Sequence, residues 1–132
     1  MTPDESAGPV YDASVILAII MRERGHEPWI PRKQAALASA VNLAEARSKL
    51  SDKGFNRPAI DAAFRYINLE VVDFDGEQAV LSADLRPGTR KAGLSLGDRA
   101  CLALAIQMGA VAYTADRAWT EIDLPVEVRA IR

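Results

Sequence analysis

Two kinds of apolar segment alternate along this chain, and this alternation restricts the possible fold more than any other feature. Segments typical of β-strands are followed by segments of helical length, and glycine or proline residues separate many of them. Strands that alternate with helices form βαβ units, in which the strands run parallel and helices cover both faces of the sheet. The sequence therefore predicts an α/β fold with a mainly parallel central sheet.

The predicted strands are short, and most are rich in residues that favour β-structure. The pattern at residues 35–39 leaves two alternatives open, a brief strand or the end of a helix. Pro87 and Gly88 are predicted to break the helix that precedes them. The predicted strands are residues 10–11, 35–39, 69–74, 110–114 and 126–131. The predicted helices are residues 15–21, 40–53, 57–68, 75–85 and a helix that begins at Ser95 and is closed by Gly109.

The length of 132 residues suits one hydrophobic core and is too short for two, so a single domain over residues 1–132 is predicted. The polar lead at residues 1–9 is expected to be disordered. No apolar run reaches the roughly 18 residues that a membrane-spanning helix needs, and the start lacks the pattern of a signal peptide. The expected location is the cytoplasm.

Composition excludes several kinds of chemistry. The single cysteine, Cys101, rules out an internal disulfide and a cysteine-rich zinc site, and its apolar surroundings predict a buried thiol. Hydrolases with a serine or cysteine nucleophile normally need a histidine base, and the chain has only His26. No phosphate-binding glycine motif occurs. The net charge of −2 gives no broad attraction for a nucleic acid. If the substrate were RNA, its charge would have to be neutralised locally, and a bound divalent cation and scattered arginines such as Arg22, Arg24, Arg32 and Arg99 are the candidates.

Acidic residues follow two of the predicted strands. Asp12 comes directly after the first strand, and Asp116 follows the strand that ends at Thr114. Because ligands in parallel sheets bind beyond the carboxyl ends of the strands, both carboxylates are expected in one crevice. Each also has a simpler interpretation, Asp12 as a helix N-cap and Asp116 as a turn residue. Ser14 is placed to orient a carboxylate or a phosphate, and Arg117 to pair with Asp116 or contact a phosphate.

Two further carboxylates lie on predicted helices. Glu45 forms a polar stripe with Asn42 and Lys49 between apolar flanks, which is typical of a pocket wall; a surface ion pair with Lys49 is the alternative. Asp98 stands three residues after Ser95, a spacing typical of a capping box. The helix that follows is apolar nearly all round, as a buried helix is. An acid at the mouth of such a helix is placed to face a crevice.

Four carboxylates in one pocket indicate a site for a hard divalent cation. Magnesium and manganese prefer oxygen ligands, and one or two such ions can activate water for cleavage of a phosphodiester bond. Crowded carboxylates without a cation would repel one another. The pattern therefore predicts a metal-dependent nuclease in which water, and no side chain, is the nucleophile.

Four stretches of the chain resemble PIN-domain nucleases and, within them, the VapC toxins of bacterial toxin–antitoxin pairs. The stretches occur in the family's order and are residues 12–14, 39–45, 94–105 and 114–119, of which 94–105 is the most specific. The resemblance extends over residues 10–132, nearly the whole chain. Position by position it places the family's acidic quartet on Asp12, Glu45, Asp98 and Asp116, with Ser14, Asn42 and Thr114 as helpers.

This resemblance implies a three-layer α/β/α sandwich and a magnesium- or manganese-dependent endoribonuclease that acts on structured RNA such as transfer or ribosomal RNA. It also implies a homodimer and a partner antitoxin that lies over the acidic crevice and inhibits it.

Two other functions are possible for a small α/β domain of this kind. A phospho-receiver domain needs adjacent acids after its first strand and a lysine near its last, but Asp12 is flanked by Tyr11 and Ala13, and no lysine follows Lys91. An inactive binding module with the nuclease fold would have lost an acidic ligand, and all four are present.

Overall fold

The structure, a computed structural model, describes residues 8–132 of the chain. Of the predicted lead at residues 1–9, all but Gly8 and Pro9 lies outside the described residues. Five parallel strands form one sheet in the order β3-β2-β1-β4-β5. The strands are β1 (Val10–Tyr11), β2 (Ala36–Ser39), β3 (Leu69–Val72), β4 (Ala112–Thr114) and β5 (Val128–Ala130).

Six α-helices and two 3₁₀ helices accompany the sheet in the described residues. No helix within residues 8–132 combines the length and the apolar character needed to cross a membrane. The α-helices are α1 (Ala13–Ile20), α2 (Ala40–Asp52), α3 (Arg57–Arg65), α4 (Gly76–Asp84), α5 (Arg86–Thr89) and α6 (Leu96–Met108). The 3₁₀ helices are Glu27–Trp29 and Arg117–Glu121.

The sheet separates two hydrophobic cores. Successive residues of a strand point to opposite faces, so Tyr11 joins the core formed with α1, α2 and α3, whereas Val10 joins the core formed with α6. Helix α4 packs along α6 on the second face. The predicted three-layer α/β/α sandwich with a mainly parallel sheet is confirmed.

The strand order reverses at β1, and the predicted crevice lies next to this point of reversal. One connection from β1 leads to β2 on one side, and the chain returns later to β4 on the other side. The segments that follow β1 and β4 pack on opposite faces of the sheet, α1 in one core and Trp119 in the other, and such a switch point leaves a groove at the carboxyl edge of the sheet. The segments that begin at this edge are α1, α2 and the 3₁₀ helix Arg117–Glu121.

Local sequence signals account for most helix ends. Gly109 ends α6 with a φ of +62°, a left-handed conformation that glycine adopts without a steric penalty. Residues 35–39 resolve as a strand, which begins at Ala36. The predicted break is confirmed, since α4 ends at Asp84 with Leu85 as its C-cap. Pro87 and Gly88 themselves lie in α5, a separate helix of four residues that was not predicted. The interruption is at Leu85, and Pro87 is tolerated because the first turn of a helix needs no intrahelical N–H donor.

Helix α6 depends on burial for its stability, and two of its leucines test this. Leu104 is fully buried and Leu96 is 52% exposed. We expect Leu104→Ala to lower the free energy of unfolding by about 2–5 kcal/mol, because it removes packed methyl groups and leaves a cavity. Leu96→Ala is the matched control and should change it by less than about 0.5 kcal/mol. Urea unfolding measures both, and similar losses would contradict the central position of α6.

Candidate active site

Four carboxylates from separate parts of the chain line one pocket at the carboxyl edge of the sheet. The pocket has a volume of about 170 Å³. Two larger grooves, of about 620 and 650 Å³, lie on other parts of the surface and contain none of these four acids. The acidic pocket is distinguished from these grooves by the carboxylates that line it and not by its size. It is lined by Asp12, Ala13, Ser14, Glu45, Lys49, Asp98, Thr114, Asp116 and Trp119.

Asp12 lies at the centre of the site because β1 ends there and α1 begins. Its Oδ1 accepts a hydrogen bond from the backbone N–H of Val15 at 3.0 Å, so it is the N-cap of α1. The same oxygen accepts one from the Ser14 hydroxyl at 2.6 Å. Burial raises the pKa of Asp12, hydrogen bonds from Ser14, Thr114 and Val15 act against this rise, and the charge of Asp98 adds to it. Asp12 thus both caps α1 and lines the acidic pocket.

Two hydroxyl groups connect the end of β4 to the start of α1. The oxygens of Ser14 and Thr114 lie 3.5 Å apart, and Ser14 Oγ also accepts the backbone N–H of Ala115 at 2.8 Å. Thr114 Oγ1 accepts the backbone N–H of Asp116 at 3.1 Å. Because Ser14 also donates to Asp12, this network fixes the separation of Asp12 and Asp116. The predicted helpers Ser14 and Thr114 therefore act on carboxylates.

Asn42 holds Glu45 against the first turn of α6. Its side-chain amide donates to Glu45 Oε1 and to the carbonyl oxygen of Gly97, both at 2.9 Å. Asn42 is 1% exposed, so it is closed off from a substrate and positions Glu45. The alternative of an ion pair between Glu45 and Lys49 is wrong, because Lys49 takes part in none of the ion pairs found in residues 8–132.

Gly97 is a site residue that the sequence reasoning missed. The carboxylate of Glu45 lies so close to its Cα that an added Cβ would overlap Glu45 Oε1 and Oε2. Only a residue without a side chain leaves this space free. The signal was present in the sequence, since a glycine in the first turns of a helix lowers helix stability relative to alanine and indicates a close approach.

Asp98 and Asp116 are also held by caps. The predicted capping box is confirmed, with Ser95 N donating to Asp98 Oδ2 at 2.9 Å and Asp98 N donating to Ser95 Oγ at 3.2 Å. Asp116 Oδ1 accepts the backbone N–H of Ala118 at 3.0 Å and caps the 3₁₀ helix. All four acids thus lie in one pocket, and Asp12, Asp98 and Asp116 are each fixed by the start of a helix.

Several other residues lie elsewhere or have another role. Of the two alternatives for Arg117, pairing with Asp116 is not found, since Arg117 donates to the carbonyl oxygen of Arg132 at 2.9 Å, and contact with a phosphate stays a prediction. Arg99 donates to the carbonyl oxygen of Ser82 at 3.0 Å, between α6 and α4. His26 lines one of the larger grooves, away from the acids. The prediction that Cys101 is buried is confirmed; burial raises the pKa of its thiol, and the charges of Asp12, Asp98 and Glu45 add to the rise.

The pocket contains oxygen atoms that could bind a metal, but these atoms are not yet arranged as a coordination shell. Within the described residues, no three histidine, cysteine, aspartate or glutamate side chains form a ready-made metal site. Helix caps and the Asn42 amide hold the carboxylates in place, and like charges resist closer approach. The donor set nevertheless fits a hard divalent cation, because all four charged ligands are carboxylates and the pocket includes no thiol or imidazole that would favour zinc.

Comparisons with known proteins agree with this geometry. The family model of the PIN domain matches residues 10–124. Among curated proteins, no significant sequence match is found. Two solved structures share the fold over most of both chains. VapBC2 from Rickettsia felis, bound to a DNA fragment from its promoter, is 17% identical with a TM-score of 0.70, covering 92% of this chain and 97% of that chain. VapC20 from Mycobacterium tuberculosis, a toxin that cleaves the sarcin–ricin loop, is 18% identical with a TM-score of 0.71, covering 86% and 94%.

A toxin–antitoxin complex from Klebsiella pneumoniae is similar as well, with 14% identity, a TM-score of 0.72 and coverage of 95% of this chain and 98% of that chain. At such low identities these likenesses establish the fold alone. The match to the family model is of another kind, since it extends over more than half of the chain and includes all four pocket carboxylates. The chain belongs to the PIN domain family.

Proposed function

We propose that this protein is an endoribonuclease that depends on Mg²⁺ or Mn²⁺, and that it is the toxin of a type II toxin–antitoxin pair. One observation carries the nuclease proposal: four separate segments each bring one carboxylate into a single pocket at the switch point of a parallel sheet. Membership of the PIN domain family supports it. The proposed substrate is structured RNA such as transfer or ribosomal RNA.

Asp12, Glu45, Asp98 and Asp116 are the residues that would hold one or two cations. A divalent cation supplies Lewis acidity, which lowers the pKa of a bound water and neutralises phosphate charge. The chain supplies the fixed oxygen atoms: the Ser14 hydroxyl and the N–H of Val15 hold Asp12. This fixation matters because the hydrogen bonds already restrict the Asp12 side chain, so less of its rotamer entropy is left to be lost when a cation binds.

Water is the proposed attacking group, and the pocket's own side chains support that choice. Ser14 has the only primary hydroxyl among the pocket-lining residues, and that hydroxyl donates to Asp12 while accepting from Ala115. It is therefore occupied as a positioning group. Carboxylates at the pocket wall are able to accept the proton that water releases when it attacks the phosphorus atom.

The proposed partners are a cognate antitoxin and a second copy of the chain. Similar structures are described as toxin–antitoxin complexes or as VapBC, which supports the antitoxin. The proposed place of action is the cytoplasm. A short neighbouring reading frame that encodes a DNA-binding amino-terminal segment would identify the antitoxin, and copurification of the two chains would test their association.

A phospho-receiver and an inactive binding module fit the structure less well than a nuclease does. A phospho-receiver needs its lysine after a strand, whereas the pocket lysine, Lys49, belongs to helix α2. An inactive binding module would share the fold and the pocket but lack turnover. Cleavage of RNA by the wild-type protein distinguishes an enzyme from this module.

Asp98→Asn tests the nuclease directly. Asparagine keeps a side-chain oxygen that can accept the Ser95 N–H in the capping box, so the free energy of unfolding should fall by no more than about 1 kcal/mol. Loss of one charged ligand should lower cleavage of total RNA by about 100-fold or more in Mn²⁺. Asp75→Asn is the matched control, because Asp75 caps α4 by accepting the backbone N–H of Gln78 and lies outside the pocket.

Cleavage is measured by sequencing of new RNA ends, and expression in a bacterial host measures toxicity through growth arrest. We expect arrest with the wild type and with Asp75→Asn, and growth with Asp98→Asn. A folded Asp98→Asn protein that cuts RNA at the wild-type rate would contradict the proposed site. A wild type that cuts no RNA in either metal would favour the inactive binding module.

Gly97→Ala tests whether the position of Glu45 matters. The new Cβ would overlap the Glu45 carboxylate, which is the end of a flexible side chain and is able to move. We therefore expect little change in the free energy of unfolding but a weaker affinity for Mn²⁺, by about tenfold or more, because a displaced ligand no longer faces the cation.

Gly76→Ala is the control, since Gly76 begins α4 with open space where a Cβ would lie. Calorimetric titration gives the Mn²⁺ affinity and urea unfolding gives the stability. If both variants bind Mn²⁺ as the wild type does, Glu45 is not a ligand held by its contact with Gly97.

A further inference from the structure

We infer that Lys49 binds a phosphate group of the RNA at the mouth of the acidic pocket; this inference rests on the proposed function. Lys49 lies on α2, four residues after Glu45, and its side chain lines the pocket. Of the nine residues that line this pocket in the described part of the chain, it is the one with a positive charge.

Lys49 is exposed and takes part in none of the ion pairs or side-chain hydrogen bonds found in residues 8–132. Its spacing from Glu45 is the one that favours an ion pair on a helix. Glu45 Oε1 is instead held by the buried amide of Asn42, and the Glu45 carboxylate lies against Gly97. Because these contacts hold the Glu45 carboxylate, the Lys49 ammonium at the mouth of the pocket remains available to bind a phosphate.

An RNA backbone has to approach four carboxylates, and its phosphates are repelled by them. The net charge of −2 provides no general attraction. Two nearby arginines are engaged elsewhere, Arg99 with Ser82 and Arg117 with Arg132. An ammonium group on a flexible stem is suited to a phosphate whose position varies, because it needs no fixed planar geometry. Lys49 thus supplies the positive charge that the pocket wall itself can offer to the substrate.

The other role for such a lysine is as a counter-ion that stabilises the acids. A counter-ion would be paired with a carboxylate, and Lys49 is not paired within the described residues. The two roles also differ in what removal of the charge does. A phosphate contact affects RNA affinity and its dependence on salt, whereas a counter-ion affects the stability of the protein and its affinity for the metal.

The test compares Lys49→Gln, Lys49→Arg and Lys53→Gln with the wild type. Lys53 is the C-cap of the same helix, is exposed and lies outside the pocket, which makes it a matched control. The probe is a short RNA with a fluorescent 5′ end that spans a cleavage site mapped in total RNA, and its products are separated by gel electrophoresis. Cleavage rates are measured in Mn²⁺ at several KCl concentrations, and Mn²⁺ affinity is measured by calorimetry without RNA.

For Lys49→Gln we expect KM to rise about threefold to tenfold, with kcat changed by less than about twofold. The slope of log(kcat/KM) against log salt should become shallower by about 0.7, as for loss of one phosphate contact on single-stranded RNA. Lys49→Arg should recover most of the wild-type KM, and Lys53→Gln should match the wild type. Mn²⁺ affinity should stay equal or increase, because a positive charge has been removed.

Two results would overturn the inference while leaving the nuclease intact: a KM and salt slope for Lys49→Gln equal to those of Lys53→Gln, or a loss of Mn²⁺ affinity in Lys49→Gln. Absence of any cleavage by the wild type in Mn²⁺ would instead overturn the proposed function, and this inference with it.

Discussion

Strand β1 consists of two residues, yet the arrangement of the pocket depends on its pairing. It is hydrogen-bonded to β2 on one side and to β4 on the other, both parallel to it. Parallel pairing makes the chain leave all three strands at the same edge of the sheet. Asp12 and Asp116 therefore emerge side by side although more than a hundred residues separate them in the chain. Helix α6 then brings Asp98 to the same edge.

Crowding of carboxylates is unfavourable, and the chain reduces this penalty with local hydrogen bonds. Asp12, Asp98 and Asp116 each accept a backbone N–H at the start of a helix, where the helix dipole also favours negative charge. Burial still raises the pKa of Asp12, so the network of Ser14 and Thr114 compensates only in part. The caps explain why helix capping and a role in the pocket were both predicted for the same residues: one carboxylate does both.

The link between α2 and α6 is of a different kind, because it has no local origin. Asn42 joins Glu45 to Gly97 across a separation of 55 residues in sequence, and Gly97 provides room for the Glu45 carboxylate. The same contact keeps Glu45 from pairing with Lys49. The buried amide of Asn42 and the space at Gly97 thus fix the position of the Glu45 carboxylate. As a consequence, the Lys49 ammonium is available to the substrate.

The sequence by itself determined the α/β class, the parallel sheet, most helix ends and the identity of the four acids, because periodicity, caps and family motifs are local. It did not predict the short helix α5, which contains Pro87 and Gly88, and it left open the partner of Arg117, which is the carbonyl oxygen of Arg132. Only the tertiary structure decided that Gly97 receives Glu45, that Asn42 is closed off from solvent and that Lys49 remains unpaired within the described residues. These are contacts between segments far apart in the chain, and a local pattern carries no information about which side chain fills the space beside another.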